Sequence, residues 1–363
     1  MSITEDTVEQ AAIEWFEELG YTYVAGPEIA PDEPDAERDS FGDVVLQRFL
    51  SEAINRLNPT IPSDAQEEAL RKVLRVEGPS LIQTNRIFHK MLVAGVDVEY
   101  PREDGSIAGD HVRLVDFDNP DNNEWYVINQ FTVIEGTHNR RPDVVVFING
   151  LPLAIIELKN AADEQADIWS AYKQLETYKK EIPSLFNYNE LLIISDGLQA
   201  RMGSMTANRE WFKVWRTVDG KTHAPPGTLE LETLIQGVFE KTRLLDLIRD
   251  FVAYDEDDKG RMSKIVAGYH QFHAVKTAVA ETIRASEADG DRRAGVVWHT
   301  QGSGKSFSML FYTGRMARNI EMENPTVVVL TDRNDLDDQL WGQFDRCSDL
   351  LNQRPRQSAS RTQ

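Results

Sequence analysis

Two carboxylates and one ammonium lie at the ends of two runs with strand-like patterning. Asp143 opens the first run, and Glu157 and Lys159 close the second. Because successive side chains of a strand point to opposite faces, Glu157 and Lys159 project together. An aspartate brought beside them provides two hard oxygen ligands next to one positive charge, which is typical of a Mg²⁺ site. The spacing therefore predicts a divalent-cation site.

The elements that must position these groups are predicted from local patterns. Asn149-Gly150, between the two runs, is a strong signal for a two-residue hairpin turn. Ala162 to Glu181 has a helical pattern, on which Gln174 and Tyr178 stand four apart and share a face. Leu191 to Ser195 is a continuous apolar run, as in a buried strand of an α/β layer. These neighbours favour a metal site over an ordinary edge-strand charge pair.

Asp143 and Glu157-x-Lys159 together match the PD-(D/E)xK pattern of metal-dependent DNA nucleases. With Gln174-x-x-x-Tyr178 they resemble the nuclease domain of the restriction (R) subunit of type I restriction-modification enzymes. Similarity to that family extends to earlier segments, at 42–46, 57–59 and 88–96. The resemblance implies an α/β fold, a restriction-endonuclease-like mixed sheet flanked by helices, followed by an incomplete RecA-like P-loop lobe.

The resemblance also implies a role for each group of the predicted metal site. Asp143 and Glu157 are implied to bind Mg²⁺ together with the main-chain carbonyl of Leu158. Lys159 is implied to position or activate the attacking water. The expected reaction is hydrolysis of a DNA phosphodiester bond, in which a cation stabilises charge on the phosphate and lowers the pKa of its bound water.

Three further residues are candidates for the same site. Gln174 and Tyr178 are implied to contact DNA or to steady the site. Glu9, on a helix predicted from about Glu5 to Leu19, is the candidate for an extra acidic group. That choice stays open because the helix offers other carboxylates, namely Glu14, Glu17 and Glu18.

A second motif follows the apolar run at 296–298, which is predicted as a buried strand. Its glycine-bearing loop leads into a helix-compatible stretch from Phe307 to Arg318, the context that a phosphate-binding loop requires. Backbone amides and the helix N-terminus attract phosphates, Lys305 reaches the β and γ oxygens, and the Ser306 hydroxyl ligates Mg²⁺. The strict pattern has a glycine where this chain has His299. The predicted nucleotide-binding residues are Thr300, Gln301, Gly302, Ser303, Gly304, Lys305 and Ser306.

The loop resembles that of superfamily 2 helicases and translocases, and the preceding His-Thr-Gln again resembles the type I R subunit. By the same resemblance Gln271 is a candidate contact for the adenine of ATP, with an exposed glutamine at a helix end as the alternative. Thr326 to Leu330 is predicted as a buried strand that leads into a segment similar to motif Ia, which runs along nucleic acid. ATP is therefore the second expected cofactor, beside Mg²⁺.

Changes in composition along the chain predict two domains. Residues 1–250 are predicted as the nuclease domain, with its core at about 110–216, and residues 251–262 as a linker because they contain a charged run. Residues 263–363 are predicted as a partial first helicase/translocase lobe, since a complete lobe needs about 150 residues. We therefore expect an N-terminal fragment of a longer protein, which hydrolyses no ATP by itself.

The charge of the chain is distributed unevenly. Its formal net charge of −21 opposes DNA binding, because phosphates are neutralised by Lys and Arg. The acid is concentrated between Glu28 and Asp43, whereas basic residues flank the predicted metal site. The sequence therefore predicts an acidic protein surface with a positively charged rim around the metal site. The rim residues are Arg140, Arg141, Lys173, Lys179 and Lys180.

Cysteine usage limits the class of protein. The single cysteine, Cys347, excludes a disulfide framework and a cysteine-based zinc site. The sequence contains no signal-peptide pattern and no apolar run of membrane-spanning length, so a reducing cytoplasm without a membrane partner is predicted. The seven histidines show no H-E-x-x-H spacing.

We interpret the sequence as the N-terminal part of a type I R subunit, in which a Mg²⁺-dependent endonuclease precedes an ATP-dependent motor. The expected partners are double-stranded DNA and the modification (methyltransferase) and specificity subunits of the same system. One alternative is a free-standing recombination or anti-phage nuclease with a vestigial ATPase segment. Another is a non-catalytic docking module with a decayed site. A requirement for ATP and a methyltransferase would exclude the free-standing nuclease. Metal-dependent nicking of DNA would exclude the docking module.

Overall fold

The structure is a computed structural model that describes residues 4–102, 104–159 and 167–357. The chain divides into two compact units, 1–245 and 246–363. Part of the predicted helix, at 162–166, lies outside the described residues. Within the described ranges, no helix is both long enough and apolar enough to cross a membrane.

The first unit contains strands and helices in mixed order. Its helices are α1 Glu5–Glu18, α2 Gln47–Leu57, α3 Ser63–Leu74, α4 Leu81–Ala94, α5 Ile168–Glu181, α6 Pro183–Phe186 and α7 Glu230–Val238. Its strands are β1 Thr22–Ala25, β2 Val96–Pro101, β3 Ile107–Val112, β4 Trp125–Asn129, β5 Val133–Glu135, β6 His138–Arg140, β7 Val144–Ile148, β8 Leu151–Leu158, β9 Leu191–Ser195 and β10 Ala200–Gly203. The next helix, α8 Lys241–Asp250, crosses the division between the units.

Six of these strands form one mixed sheet in the order β1-β4-β7-β8-β9-β10. Strand β8 pairs antiparallel with β7 and parallel with β9. Every residue of β7, β8 and β9 is buried, as expected for central strands that are covered on both faces. Helix α5 packs against β8 and β9, and α1 packs against β1, β4 and β8. The predicted mixed α/β class is confirmed, as is the buried strand at 191–195.

The predicted hairpin turn is confirmed between β7 and β8. Asn149 has φ 51° and Gly150 has φ 79°, the two left-handed positions of a type I′ turn. The Asn149 side chain fixes the turn, because its Nδ2 donates to the Leu114 carbonyl at 2.9 Å and its Oδ1 accepts from the Glu124 N–H at 2.8 Å. A Cβ at position 150 would lie 2.4 Å from the Leu46 carbonyl oxygen, so only glycine fits.

Two helices next to the sheet were predicted, with different accuracy at their starts. Helix α1 coincides with the predicted first helix. Helix α5 begins at Ile168, later than the predicted Ala162. Asp167 has an extended conformation and caps α5, since its Oδ1 accepts a hydrogen bond from the Ser170 N–H at 3.0 Å.

After the end of α8, the second unit continues with a hairpin. Its elements are β11 Val252–Glu256, β12 Met262–Val266, α9 Tyr269–Ser286, α10 Lys305–Arg318, α11 Asn334–Arg346 and α12 Ser348–Leu351. Strands β11 and β12 pair antiparallel. The segment predicted as a linker, 251–262, contains β11 and the turn, and Met262 begins β12. The charged run is its turn, in which Asp257 Oδ1 accepts from the N–H groups of Lys259 and Arg261 at 2.9 Å.

Two strand predictions for the second unit are wrong. The runs at 296–298 and 326–330 pair with no strand among the described residues, and Val296 is 91% exposed while Val328 is 72% exposed. A strand needs partners for its N–H and C=O groups, which an apolar pattern alone does not supply. The predicted helix at 307–318 needs no such partner, and α10 coincides with it.

Candidate functional site

The register of β7 and β8 brings the two carboxylates together. Val144 pairs with Ile156, so Asp143 and Glu157 are neighbours at the end of this ladder. Asp143 Oδ2 accepts a hydrogen bond from the Leu158 N–H at 2.7 Å. Asp143 is 6% exposed, and Glu157 is fully buried.

Lys159 lies beside this pair. Its Nζ donates hydrogen bonds to Glu157 Oε1 at 3.0 Å and to the Leu158 carbonyl oxygen at 2.7 Å. Glu5 Oε1 lies 3.9 Å from the same Nζ. The main chain of Lys159 is held in place, because its N–H donates to the Ser195 carbonyl of β9 at 2.8 Å. The structure thus brings all three residues of the predicted metal site to one point.

Burial dominates the protonation of the two carboxyl groups. It raises the pKa of Asp143 to about 6, although the Leu158 N–H and the Lys159 ammonium act in the opposite direction. Burial and the adjacent Asp143 raise the pKa of Glu157 well above its usual value. Burial lowers the pKa of Lys159, but the surrounding carboxylates outweigh it and hold that pKa above its usual value. Without a cation, the carboxyl pair therefore retains a proton near neutral pH.

The oxygen atoms of this site fit a hard divalent cation. Glu157 Oε2 is buried and has no hydrogen-bond partner among the described residues. The Asp143 carboxylate and the Leu158 carbonyl supply further oxygens beside it. In the part of the chain that the structure describes, no group of three or more His, Cys, Asp or Glu side chains could hold a metal. Water and phosphate oxygens would complete the shell, as is usual for Mg²⁺.

Asp143→Asn should stabilise the metal-free chain at neutral pH. The pKa of Asp143 rises from 3.8 to about 6 on folding. The folded state therefore binds more protons than the unfolded state between these values, and the wild type loses stability as pH rises through them. Removing this group should increase the free energy of unfolding at neutral pH by up to about 3 kcal/mol. Urea denaturation in EDTA, from about pH 4 to about pH 8, measures the effect.

The matched control for this experiment is Asp35→Asn, at an exposed position. It should leave the dependence of stability on pH unchanged. If Asp143→Asn also kept the wild-type dependence, the raised pKa of Asp143 would be refuted.

Gln174 and Tyr178 are paired on α5, as their spacing predicted. Gln174 Nε2 donates to the Tyr178 hydroxyl at 2.6 Å. That hydroxyl lies 3.5 Å from the Arg141 carbonyl oxygen. Burial raises the pKa of Tyr178, and the nearby Glu157 and Asp143 raise it further. The phenol therefore stays protonated next to the carboxylate pair.

Two acidic residues of α1, Glu9 and Glu5, have different partners in the structure. Glu9, the predicted extra acid, accepts hydrogen bonds from Asn129 Nδ2 at 2.7 Å and from Gln130 Nε2 at 2.5 Å. Glu5, one turn earlier, approaches Lys159. Glu5 was not among the predicted site residues, although its spacing of four from Glu9 places both on one helix face. A catalytic role for Glu9 stays a prediction.

The glycine-bearing loop of the second unit leads directly into α10. Gly302 has φ 81°, and Gly304, the N-cap of α10, has φ 77°. Lys305 Nζ donates to the carbonyl oxygens of Thr300 at 2.9 Å and His299 at 3.3 Å. The loop therefore leads directly into a helix N-terminus, with the Lys305 side chain folded back on the carbonyl oxygens of the loop. Phosphate binding by this loop stays a prediction. The other predicted residues lie in the same segment, with Gln301 and Ser303 in the loop and Ser306 in the first turn of α10.

Gln271 and His270, in the first turn of α9, hold this loop. Gln271 Nε2 donates to the Gly304 carbonyl at 3.0 Å, and its Oε1 accepts from the Gly268 N–H at 3.0 Å. His270 Nε2 lies 3.0 Å from the Ser303 carbonyl oxygen. Because Gln271 is 3% exposed, the alternative of an exposed helix-end glutamine is wrong. Its contact with adenine stays a prediction.

Both regions match families of known proteins. Residues 2–211 match the family model described as type I restriction enzyme R protein N terminus, and residues 270–363 match the SWI2/SNF2 ATPase model. The chain is 42% identical over 364 residues to the type I restriction enzyme HindI endonuclease subunit of Haemophilus influenzae, covering 99% of this chain and 34% of that protein. It is 37% identical over 366 residues to a Methanocaldococcus jannaschii protein named as the MjaIXP endonuclease subunit, covering 94% and 34%. The chain thus spans about a third of the length of these relatives.

Proposed function

Because the chain belongs to the family of type I restriction enzyme R proteins, we propose that its first unit carries the Mg²⁺-dependent DNA nuclease site of such an enzyme. One observation carries the proposal: Glu157 is fully buried, with one carboxylate oxygen unpartnered among the described residues, between Asp143 and Lys159. A buried carboxylate oxygen without a partner is costly unless a cation or a proton binds to it, and the neighbouring Asp143 carboxylate and Leu158 carbonyl favour a cation. The restriction-endonuclease-like fold is part of this proposal.

The proposed chemistry is hydrolysis of a DNA phosphodiester bond. Asp143, Glu157 and the Leu158 carbonyl would hold Mg²⁺. When bound, the cation neutralises charge on the phosphate and lowers the pKa of water. Lys159 has a raised pKa and keeps its proton. Lys159 would position the attacking water or a phosphate oxygen by donating hydrogen bonds.

The neighbouring polar residues would support this site. Gln174 and Tyr178 are joined by their hydrogen bond. Tyr178 is buried and would hold the half-buried Gln174 beside the carboxylate pair, where Gln174 would contact DNA. Glu9 fixes the side chains of Asn129 and Gln130. These contacts would hold the end of β4 beside Asp143, whose carbonyl oxygen accepts a hydrogen bond from the Gln130 N–H.

We further propose that the second unit binds ATP as the beginning of a RecA-like motor lobe. Lys305 and the amides at the start of α10 would bind phosphates, and the Ser306 hydroxyl would ligate Mg²⁺. The match of residues 270–363 to the SWI2/SNF2 ATPase model supports this proposal. In the whole protein, ATP-driven translocation would be coupled to cleavage of double-stranded DNA in the cytoplasm. The modification and specificity subunits of the same restriction system would be its partners.

The proposal is tested by assembling the longer R protein that carries this chain with the modification and specificity subunits of its system. Plasmid cleavage should require Mg²⁺ and ATP, and it should be lost when the methyltransferase is omitted. Cleavage without ATP or partners would instead identify a free-standing nuclease. If the complete assembly showed no metal-dependent cleavage, the first unit would be a docking module.

A further inference from the structure

An aromatic–basic patch lies on one flank of α5 and on the loop that follows β10. Trp169 and Tyr172 project from α5, with their ring centroids 6.2 Å apart. The Arg209 guanidinium lies 5.4 Å from the Trp169 ring centroid and 5.9 Å from that of Tyr172. Lys213 Nζ lies 5.1 Å from the Trp211 ring centroid. We define the aromatic–basic patch by these residues, namely Trp169, Tyr172, Arg209, Trp211 and Lys213.

Trp211 is the feature of the patch that needs an explanation. It is 55% exposed, although tryptophan is one of the largest apolar side chains. The next residue, Phe212, is buried and packs edge-on against Tyr172, with the ring centroids 5.4 Å apart. Phe212 therefore belongs to the core, whereas the Trp211 ring lies at the surface. An exposed ring with a cation beside it offers a flat apolar surface and a positive charge to a ligand.

We propose that the aromatic–basic patch binds a single-stranded segment of DNA by stacking its unpaired bases. The proposal rests on the proposed nuclease function for the identity of the polymer, and it adds a binding site outside the metal centre. Bases stack on aromatic side chains irrespective of sequence, and neighbouring Lys and Arg bind the phosphates between them. Bases in an intact duplex are already stacked, so the exposed Trp211 ring selects a strand that has been opened.

The position of the patch on α5 connects it to the metal site. Gln174 is two residues after Tyr172, which places it about 200° further round the helix. Tyr172 and Gln174 therefore lie on opposite flanks of α5. The buried residues of the helix lie between these flanks on the side that faces the sheet. On the outer side, Lys173 and Lys180 are exposed. A strand that leaves the metal site and crosses the width of α5, about 10 Å, therefore passes exposed cations before it reaches the patch.

Charge complementarity favours a polyanion here. The whole chain has a net charge of −21, whereas the patch and the outer side of α5 together present the exposed Lys173, Lys180 and Arg209, with the half-buried Lys213 beside them. Asp167, which caps α5 two residues before Trp169, is an exposed acid. Glu176 forms an ion pair with Lys179, and Glu210 is exposed beside Arg209. A local excess of positive charge on a strongly acidic protein is the arrangement expected of a phosphate-binding surface.

The test uses the 363-residue chain, a fluorescent oligothymidylate of about 20 nucleotides, EDTA and low salt. Fluorescence anisotropy should show binding by the wild type, which Trp211→Ala weakens about tenfold or more through the loss of stacking. Trp211→Phe retains a ring and should stay close to the wild type. Arg209→Ala should weaken binding and reduce its dependence on salt. The matched control is Ile107→Ala, at another exposed apolar position of the first unit, which should bind like the wild type.

Three results would each overturn the proposal. They are an absence of oligothymidylate binding by the wild type, an unchanged affinity in Trp211→Ala, and equal competition by a duplex of the same length. Loss of binding to the modification and specificity subunits in Trp211→Ala, with oligothymidylate affinity unchanged, would assign the patch to a protein partner instead. Circular dichroism of each variant shows whether it is folded.

The outcome can be separated from that of the proposed nuclease function. Binding is measured in EDTA, so Asp143→Ala should bind oligothymidylate like the wild type whatever its effect on cleavage. If cleavage depends on Asp143 while Trp211→Ala binds normally, the patch proposal alone fails. If binding depends on Trp211 while Asp143→Ala still cleaves, the nuclease assignment alone fails.

Discussion

Asp143→Ala and Glu157→Ala should each reduce DNA cleavage by the assembled enzyme about a thousandfold. Each substitution removes a carboxylate from a site that offers two in the part of the chain that the structure describes. Loss of the cation removes several kcal/mol of stabilisation from the charge that develops on the phosphate, which corresponds to a loss of this size. Cleavage of supercoiled plasmid over time, with ATP and Mg²⁺ present, measures the rate.

Two controls distinguish loss of the metal from loss of the fold. Glu14→Ala removes an exposed carboxylate of α1 and should cleave like the wild type. DNA-stimulated ATP hydrolysis should survive in the Asp143 and Glu157 variants, because the phosphate loop belongs to the other unit. Full cleavage by either variant would contradict the assigned role of that carboxylate.

Lys305→Ala should reduce DNA-stimulated ATP hydrolysis by the longer R protein about a hundredfold or more. Lys305 is the first residue of α10, and its ammonium donates hydrogen bonds to the carbonyl oxygens of Thr300 and His299 in the loop that is proposed to bind phosphates. A positive charge held in advance at a transferring phosphoryl group contributes about this much to the rate. Release of inorganic phosphate, with and without duplex DNA, measures the effect.

The matched control is Lys259→Ala, an exposed lysine in the turn between β11 and β12. It should hydrolyse ATP like the wild type. Retained hydrolysis in Lys305→Ala would show that the glycine-bearing loop is not the nucleotide site.

The geometry of the metal site could be predicted from the sequence because its determinants are local. Asn149-Gly150 specifies a two-residue turn, and this turn fixes the register of the strands on either side. Once the register is fixed, Asp143 lies beside Glu157. Alternation along β8 then places Lys159 with Glu157.

Residues whose contacts join distant parts of the chain could not be assigned in the same way. The choice between Glu5 and Glu9 depends on which of them α1 brings to Lys159, and this is set by packing of α1 on the sheet. A helical pattern shows that Glu5 and Glu9 share a face, but it does not show which of them lies nearer to Lys159. The burial of Gln271 likewise depends on its hydrogen bond to Gly304, which is distant in sequence.

The wrong strand predictions have the same physical origin. The continuous apolar runs at 296–298 and 326–330 are compatible with buried strands, but strand formation needs hydrogen bonds to other segments. Helix α10 needs only bonds within itself and a cap, and Gly304 supplies a left-handed residue before its first turn. For the second unit, the sequence therefore predicted the helix and the loop better than the sheet.

Isothermal titration of the 363-residue chain with Mn²⁺ tests the central claim most directly. The wild type should bind Mn²⁺ with an affinity that increases as pH rises through about 6 and continues to increase above it, because the Asp143 and Glu157 carboxyl groups must both lose their protons. Lys159→Ala should still bind the metal, whereas Asp143→Ala and Glu157→Ala should not. Unchanged Mn²⁺ binding in either carboxylate variant would contradict the assignment of this site as the metal centre.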